Sequence, residues 1–190
     1  LWSSFQKAQR TGTAVMHPGT MPSSLSIEPT TSCNLRCPEC PSGLRSFSRP
    51  TGMLEVEAAK DWMQEMGSWL TYVNLYFQGE PLLHPKLEGL LEACQTHGLY
   101  SSTSTNAHHL TPSRCDALIE AGLDRLIISI DGLTQATYAS YRIGGQLNKV
   151  LEGTRTMVEA KRKRGKGPHL VWQFLVVGPN EHEVPEVLQK

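Results

Sequence analysis

Three cysteines within eight residues form the densest group of metal-binding side chains in the chain. Cys33, Cys37 and Cys40 stand in the segment CNLRCPEC, with three residues between the first two and two residues between the last two. Three thiolates on one short loop can hold an iron–sulfur cluster and leave one iron without a protein ligand, whereas electron-carrier clusters take four cysteines. An open coordination position marks a catalytic metal site. The spacing therefore predicts a metal site with room for a further ligand.

Two other uses of these cysteines remain open at this point. A zinc site would need a fourth ligand, for which the sequence offers His84 and His109. A thiol–disulfide pair could form from Cys37 and Cys40, which have the C-x-x-C spacing. That pair would leave Cys33 without a role, so a cluster explains more of the pattern.

The composition limits the class of protein. The chain has 190 residues, enough for one sizeable core. Its 18 basic and 18 acidic side chains balance, so no excess of charge would attract nucleic acid or an anionic membrane. No apolar run approaches the roughly 18 to 20 residues that span a bilayer, and the start of the chain lacks the apolar core of a signal peptide. We therefore expect a soluble, cytoplasmic protein.

The cysteine count agrees with a reducing compartment. An odd total of five, with three in one cluster, does not fit a secreted disulfide framework. Cys94 and Cys115 fall on amphipathic helical segments, and we expect both to be small buried residues of the core.

Strand and helix patterns alternate along the chain. The five strand-like segments are SLSIEPTT, TYVNLYF, LYSSTST, DRLIISI and HLVWQFLVV. The helical segments between them include LEVEAAKDWMQEMGSWL, in which we expect Trp62 and Trp69 to face the core. Strands separated by helices of this length imply crossover connections and a parallel sheet. The last two strands are apolar on nearly every residue, which is typical of strands buried on both faces.

Polar residues follow four of the five strands. These strand ends read TTSCNLRCPEC, QGEP, TSTNAHH and SIDG. In parallel α/β folds the loops after the strands meet at one end of the sheet, where ligands bind. The pattern therefore predicts that these segments form one site.

In this order within a βα repeat, CNLRCPEC, QGEP, TSTN and SIDG resemble the radical S-adenosylmethionine (SAM) superfamily. IEPTTSCNLRCPEC, YFQGEPLLHP and LIISIDGLTQATYASYRIGG are similar in particular to its branch with a C-terminal cysteine-rich extension, the SPASM/Twitch type. The resemblance implies an α/β fold of the partial (β/α)6 TIM-like barrel type, of which this chain would hold about five βα units. We expect a lead-in segment at 1–24 and a radical SAM core domain at 25–190. The first residue, Leu1, and a final helix that has barely begun indicate a fragment of a longer protein.

The resemblance also implies cofactors and partners. Cys33, Cys37 and Cys40 would hold a [4Fe-4S] cluster whose fourth iron chelates SAM. Reductive cleavage of SAM would give a 5′-deoxyadenosyl radical that abstracts hydrogen from an unidentified substrate, with a peptide or protein as the class found in similar enzymes. An external flavodoxin-like or ferredoxin-like protein would supply the electron. The alternative function is a non-catalytic module that binds iron–sulfur or zinc for electron transfer or structure.

Further residues gain roles from the same resemblance. Glu80 would bind the methionine ammonium of SAM, Gly79 would allow close backbone approach, and Arg142 would pair with the SAM carboxylate. Polar contacts near the SAM ribose and the substrate would come from Asn106, Ser129 and Asp131. The position before the third cysteine is often aromatic in the family and lines the adenine, but here it is Glu39.

Overall fold

A parallel β-sheet of five strands forms the centre of the structure. The structure is a computed structural model, and it describes residues 22–190. The strands are β1 (Ser24–Ser26), β2 (Tyr72–Asn74), β3 (Tyr100–Thr105), β4 (Arg125–Ser129) and β5 (His169–Gln173). Each strand pairs in parallel with the next one along the chain. A doubly wound sheet reverses its strand order at a switch point, so this sequential order is that of a partial barrel, as predicted.

Helices connect the end of one strand to the start of the next. They are α1 (Pro41–Leu44), α2 (Val56–Met66), α3 (Leu87–Thr96), α4 (Pro112–Glu120), α5 (Gln135–Tyr141), α6 (Leu147–Arg164) and α7 (Val184–Val187). Short 3₁₀ turns lie at Pro81–Leu83 and Glu181–Glu183. The alternation of strand and helix is confirmed. Within residues 22–190, no helix is both long enough and apolar enough to cross a membrane.

The predicted lead-in lies mostly outside the described residues. Residues 1–21 belong to that part of the chain, and β1 already begins at Ser24, one residue before the expected start of the core domain. The division into a lead-in at 1–24 and a core domain at 25–190 stays a prediction.

Helix ends follow the capping residues of the sequence. The side chain of Thr111 accepts a hydrogen bond from the backbone N–H of Arg114, and Pro112 is the first residue of α4. The last turn of α6 is basic, and the helix ends at Gly165 with φ 64°. Cations complement the partial negative charge of a helix C-terminus, so the basic side chains of this turn stabilise the end of α6. They are Lys161, Arg162, Lys163 and Arg164.

The core side of α2 differs from the expectation. Val56, Ala59 and Met63 are its buried residues, whereas Trp62 is 41% exposed and Trp69 is 56% exposed. The prediction that the two tryptophans face the core was therefore wrong. Leu54 and Met66, which share the helical spacing of the tryptophans, are only partly buried against the core, and Trp69 lies beyond the end of α2.

The last strand also departs from the expectation. Residues of β5 are exposed or half-buried, and Trp172 is 40% exposed. The prediction that this strand is buried on both faces was wrong because β5 is the edge of the sheet and pairs only with β4 among the described residues. Leu175 and Val176, just beyond the strand, are likewise exposed.

Candidate functional site

The three clustered cysteines line one cavity at the carboxyl end of the sheet. Cys33, Cys37 and Cys40 lie on the loop between β1 and α1, and all three are free thiols. The cavity has a volume of about 210 Å³, and the ends of β2, β3 and β4 also contribute to its wall. Cys37 is buried, while the other two cysteines are half-buried. The structure thus brings the three sulfurs to a single site, as the spacing predicts.

Burial favours the protonated form of two of the three thiols, Cys33 and Cys37. Burial raises the pKa of the Cys33 thiol to about 11. Burial also raises the pKa of Cys37, although the neighbouring Arg142 guanidinium opposes the shift. Metal ligands must be thiolates, so binding of iron at this loop would release protons.

The zinc alternative finds little support in the geometry. Within residues 22–190, no three or more His, Cys, Asp and Glu side chains converge closely enough to hold a single metal ion. Both ring nitrogens of His84 are engaged, Nε2 with the carbonyl of Leu54 at 2.8 Å and Nδ1 with the backbone N–H of Lys86 at 3.2 Å. His109 does not line the cysteine cavity. Thiolates of a cluster bind different irons and need not converge on one point, so the donor set fits a cluster better than a zinc ion.

The turn after β2 is packed directly against the cysteine loop. Gly79 adopts φ 75°, and a Cβ atom there would lie 2.1 Å from the carbonyl oxygen of Thr30. Its N–H donates to the Ser42 hydroxyl at 2.8 Å, and the N–H of Glu80 donates to the carbonyl of Ser32 at 2.8 Å. Only glycine fits this contact, because other residues would meet both steric overlap and an unfavourable backbone conformation.

The carboxylate of Glu80 is buried and held by three donors. It accepts hydrogen bonds from the Thr105 hydroxyl at 2.7 Å, from the backbone N–H of Asn106 at 2.7 Å and from the backbone N–H of Leu82 at 3.1 Å. Burial raises the pKa of Glu80, and these bonds oppose the shift. The carboxylate lines the cavity in a fixed orientation, so a cation in the cavity would find a preorganised anionic partner.

Asn106 joins the end of β3 to the cysteine loop. Its amide nitrogen donates to Asn34 Oδ1 at 2.8 Å and lies 4.0 Å from Cys33 Sγ. Its amide oxygen accepts a bond from the backbone N–H of His108 at 3.2 Å. Asn106 lines the cavity, and these contacts make its side chain a link between β3 and the first cysteine.

Arg142 and Asp131 form an ion pair at the rim of the site. The guanidinium Nε lies 2.5 Å from Asp131 Oδ2, and Nη1 lies 3.8 Å from Cys37 Sγ. Asp131 is fully buried and does not line the cavity. Its other carboxylate oxygen accepts a hydrogen bond from the backbone N–H of Leu175 at 2.7 Å. Ser129, at the end of β4, does line it, and its hydroxyl forms no hydrogen bond with a described residue. Arg142 and Ser129 thus face the site, and Asp131 acts behind Arg142.

Sequence analysis missed several residues that support the site. They are Asn34, Ser42, Gly43, Thr105 and Asn180. A Cβ atom at Gly43 would lie 2.4 Å from the carbonyl oxygen of Cys37, and the amide of Asn180 donates to the carbonyl of Asp131 at 3.0 Å. Thr105 carries a signal in the sequence, because it belongs to the polar strand end TSTN. Asn34, Ser42 and Asn180 act through contacts with residues distant in sequence, which no local pattern reveals.

The remaining two cysteines lie away from the site. Cys94 in α3 and Cys115 in α4 are both fully buried among apolar residues of the core. The prediction that they are small core residues is confirmed, and neither supplies a fourth thiolate to the cavity.

Comparisons with known proteins agree with this arrangement. A family model described as "Radical SAM superfamily" matches residues 27–190. The chain is 31% identical over 140 residues to the AdoMet-dependent heme synthase of Methanosarcina barkeri (strain Fusaro / DSM 804). The aligned region covers 73% of this chain and 40% of the heme synthase. It is 31% identical over 169 residues to the PqqA peptide cyclase of Gluconobacter oxydans (strain 621H), and this alignment covers 87% of this chain and 45% of the cyclase. This chain thus spans less than half the length of these relatives.

Solved structures share the fold at lower sequence identity. The structure of anSMEcpe with bound AdoMet has a TM-score of 0.72 at 21% identity and covers 88% of this chain and 48% of that protein. Streptococcus suis SuiB bound to S-adenosylmethionine has a TM-score of 0.67 at 16% identity and covers 97% of this chain and 41% of that protein. These similarities support the partial-barrel architecture.

Proposed function

The chain belongs to the radical SAM superfamily, and on that premise we propose that Cys33, Cys37 and Cys40 hold a [4Fe-4S] cluster at which SAM is reductively cleaved. When bound, the cluster and SAM supply an electron and a 5′-deoxyadenosyl radical that abstracts hydrogen from a substrate. The observation that carries the proposal is a single cavity in which three free thiols meet the Glu80 carboxylate and the Arg142 guanidinium. A site that bound only a metal through the three thiols would need neither the Glu80 carboxylate nor the Arg142 guanidinium.

Opposite charges in the cavity suit the amino-acid end of SAM. Glu80 would accept the methionine ammonium, a charge-assisted contact, because Thr105 and two backbone N–H groups hold its carboxylate in place. Arg142 would face the methionine carboxylate, since Asp131 fixes the guanidinium at the cavity wall. Asp131 itself is a positioning residue in this proposal, because both of its carboxylate oxygens are already engaged.

Two polar groups remain for the rest of SAM or for the substrate. The hydroxyl of Ser129 lines the cavity and is available for a new hydrogen bond. Asn106 also lines the cavity, but its amide already links Asn34 and His108. We propose Ser129 as a direct contact and Asn106 mainly as the residue that holds the first cysteine in position.

We further propose a peptide or protein substrate and an external flavodoxin-like or ferredoxin-like electron donor. Support for a peptide comes from the names of two similar proteins, the PqqA peptide cyclase and SuiB, whose structure bound to the precursor peptide SuiA has a TM-score of 0.68 at 16% identity. The sequence similarity to the SPASM/Twitch branch points the same way. Free thiols at the cluster loop suit a reducing compartment such as the cytoplasm.

The non-catalytic alternative is less consistent with the geometry. An electron-carrier cluster would need a fourth thiolate, and within these 190 residues the two other cysteines are buried in α3 and α4. A buried glutamate fixed by three donors would also have no role in a simple carrier. We therefore favour the enzymatic proposal.

Turnover of SAM tests the proposal. The protein is reconstituted without oxygen from iron and sulfide, mixed with SAM and dithionite, and assayed for 5′-deoxyadenosine by mass spectrometry. We expect product from the wild type and from Cys115→Ala, a matched change at a buried core cysteine, and none from Cys37→Ala. Product from Cys37→Ala at the wild-type rate would refute the cluster assignment.

A further inference from the structure

One half-buried arginine of the fold lacks a carboxylate partner. The half-buried arginines among residues 22–190 are Arg114, Arg125 and Arg142. Arg114 pairs with Glu88 at 2.6 Å, and Arg142 pairs with Asp131. Arg125 forms no ion pair with a described residue, and its buried Nε has no hydrogen-bond partner there. Two of the three arginines are thus compensated, and the third is not.

The missing partner is not an acidic side chain elsewhere in this sequence. All 18 Asp and Glu residues of the chain lie between positions 28 and 186, within the described residues. Residues 1–21 contain none. Since a buried donor without a partner is costly, we expect the group that compensates Arg125 to come from outside these 190 residues.

Arg125 belongs to a row of unpartnered polar groups across three strands. The strand register places Asn74 of β2 beside Ser102 of β3, and Ser102 beside Arg125 of β4. Asn74 Oδ1, Ser102 Oγ and Arg125 Nε are all buried and all lack a partner among the described residues. We call these three residues the inner polar row. Buried polar groups are normally hydrogen-bonded, so their coincidence at neighbouring positions indicates one missing ligand.

The inner polar row lies on the same face of the sheet as the cysteine cavity. Ser104 and Ser129 line that cavity, and alternate residues of a strand share a face, which places Ser102 and Arg125 on it. Leu126, the next residue of β4, packs in the apolar core on the opposite face of the sheet. At about 3.3 Å per residue, Ser102 lies about 7 Å from Ser104 along β3. The row therefore lies one layer of side chains below the cavity on β3, and none of its three residues lines the cavity itself.

We propose that the inner polar row binds an anionic oxygen group, a carboxylate or a phosphate, of the substrate. The inference rests on the proposed function for the identity of the ligand as a substrate, but not for the existence of the anion site. A guanidinium pairs with either group through parallel N–H bonds. Ser102 can add a hydroxyl donor, and Asn74 can add N–H donors because its amide oxygen and nitrogen are interchangeable in assignment.

Anion binding to Arg125 variants tests the proposal without cluster or SAM. The melting temperature is measured for the reduced protein, without added iron or sulfide, as sodium phosphate or sodium acetate replaces sodium chloride at constant ionic strength. We expect a saturable rise in wild type with at least one of the two anions, and the more effective one identifies the group as phosphate or carboxylate. The rise should vanish in Arg125→Gln and persist in Arg164→Gln, which removes an arginine from the exposed end of α6.

The variants also separate a ligand site from a structural arginine. Because Arg125→Gln removes an uncompensated charge, its melting temperature in chloride should equal or exceed that of the wild type. Ser102→Ala should fold and raise the half-saturating anion concentration. Equal rises in wild type and Arg125→Gln would mean an adventitious ion only, and no rise with either anion would also overturn the proposal. Since no cluster is present, neither result depends on whether SAM is cleaved.

Discussion

The Nη1 atom of Arg142 lies 3.8 Å from Cys37 Sγ, while Nε of the same guanidinium binds Asp131. A fixed positive charge therefore stands beside the most buried of the three clustered thiols. Asp131 is in turn held by the backbone N–H of Leu175 and, through its own carbonyl, by Asn180. The loops after β4 and β5 thus determine the electrostatic surroundings of a residue on the loop after β1.

Removing this charge should make the cluster harder to reduce. Reduction adds negative charge, which a neighbouring guanidinium stabilises, and hydrogen bonds to cluster sulfurs raise reduction potentials. We expect Arg142→Gln to shift the midpoint potential of the reconstituted cluster to more negative values, as measured by EPR-monitored titration without SAM. Arg142→Lys should shift it less. An unchanged potential in Arg142→Gln, with Arg164→Gln as the control, would show that the contact has no electrostatic effect.

Glu80 should contribute to stability as well as to SAM binding. In Glu80→Ala, Thr105 Oγ1 and the N–H groups of Leu82 and Asn106 lose their acceptor. Unsatisfied buried donors cost about 1–3 kcal/mol each, so we expect the free energy of unfolding, measured in urea, to be lower than that of the wild type by at least about 3 kcal/mol. Glu57→Ala, at an exposed residue of α2, is the control and should change stability little. A stability loss no greater than that of the control would contradict the three-donor arrangement.

Two glycines allow a matched test of the turn after β2. Gly79 and Gly98 both have positive φ, at 75° and 65°, but an added Cβ meets the Thr30 carbonyl only at Gly79. Gly98→Ala should cost about 1–2 kcal/mol, the backbone penalty alone. Gly79→Ala should cost about 3 kcal/mol or more because overpacking adds to it. Similar losses in thermal or urea denaturation would mean that the turn can move away from the cysteine loop.

The protonated thiols predict alkaline destabilisation of the metal-free protein. Cys33 has a folded-state pKa of about 11 against an ordinary value of 9.0. The unfolded chain therefore loses the proton first as pH rises, so the folded state becomes less stable between about pH 9 and pH 11. Below pH 9 the thiol is neutral in both states and contributes no such loss. Urea denaturation of the reduced protein should show this fall, and Cys33→Ala should make it smaller; an identical fall in Cys33→Ala would assign it to other groups.

Local patterns of the sequence predicted the order of elements well. Thr111 and Pro112 identify the start of α4, and strand ends such as QGEP and TSTN identify the loops that meet at the site. These features depend on residues close together in sequence, where capping and periodicity act. They also suffice to bring the cysteines and Glu80 to one place, because a parallel sheet puts all of its carboxyl ends at one edge, whereas Arg142 lies at the end of α5 and was assigned only from the family resemblance.

Other features depend on packing and could not be predicted in this way. The exposure of Trp62 follows from which side of α2 packs into the core, and Trp69 lies beyond the end of that helix. The exposure of Trp172 follows from the position of β5 at the edge of the sheet. The place of Asp131 behind Arg142 likewise depends on contacts made by the loop after β5. The inner polar row becomes visible only when the register of three strands is known.

The central claim is that three thiolates leave one iron free to bind SAM. Electron–nuclear double resonance of the reduced, reconstituted protein with SAM labelled by ¹⁵N at its amino group measures this directly. The account predicts a strong ¹⁵N hyperfine coupling to the cluster in wild type and in Cys115→Ala. A cluster that assembles fully but shows no such coupling would contradict it, because its fourth iron would then be closed to the amino group of SAM.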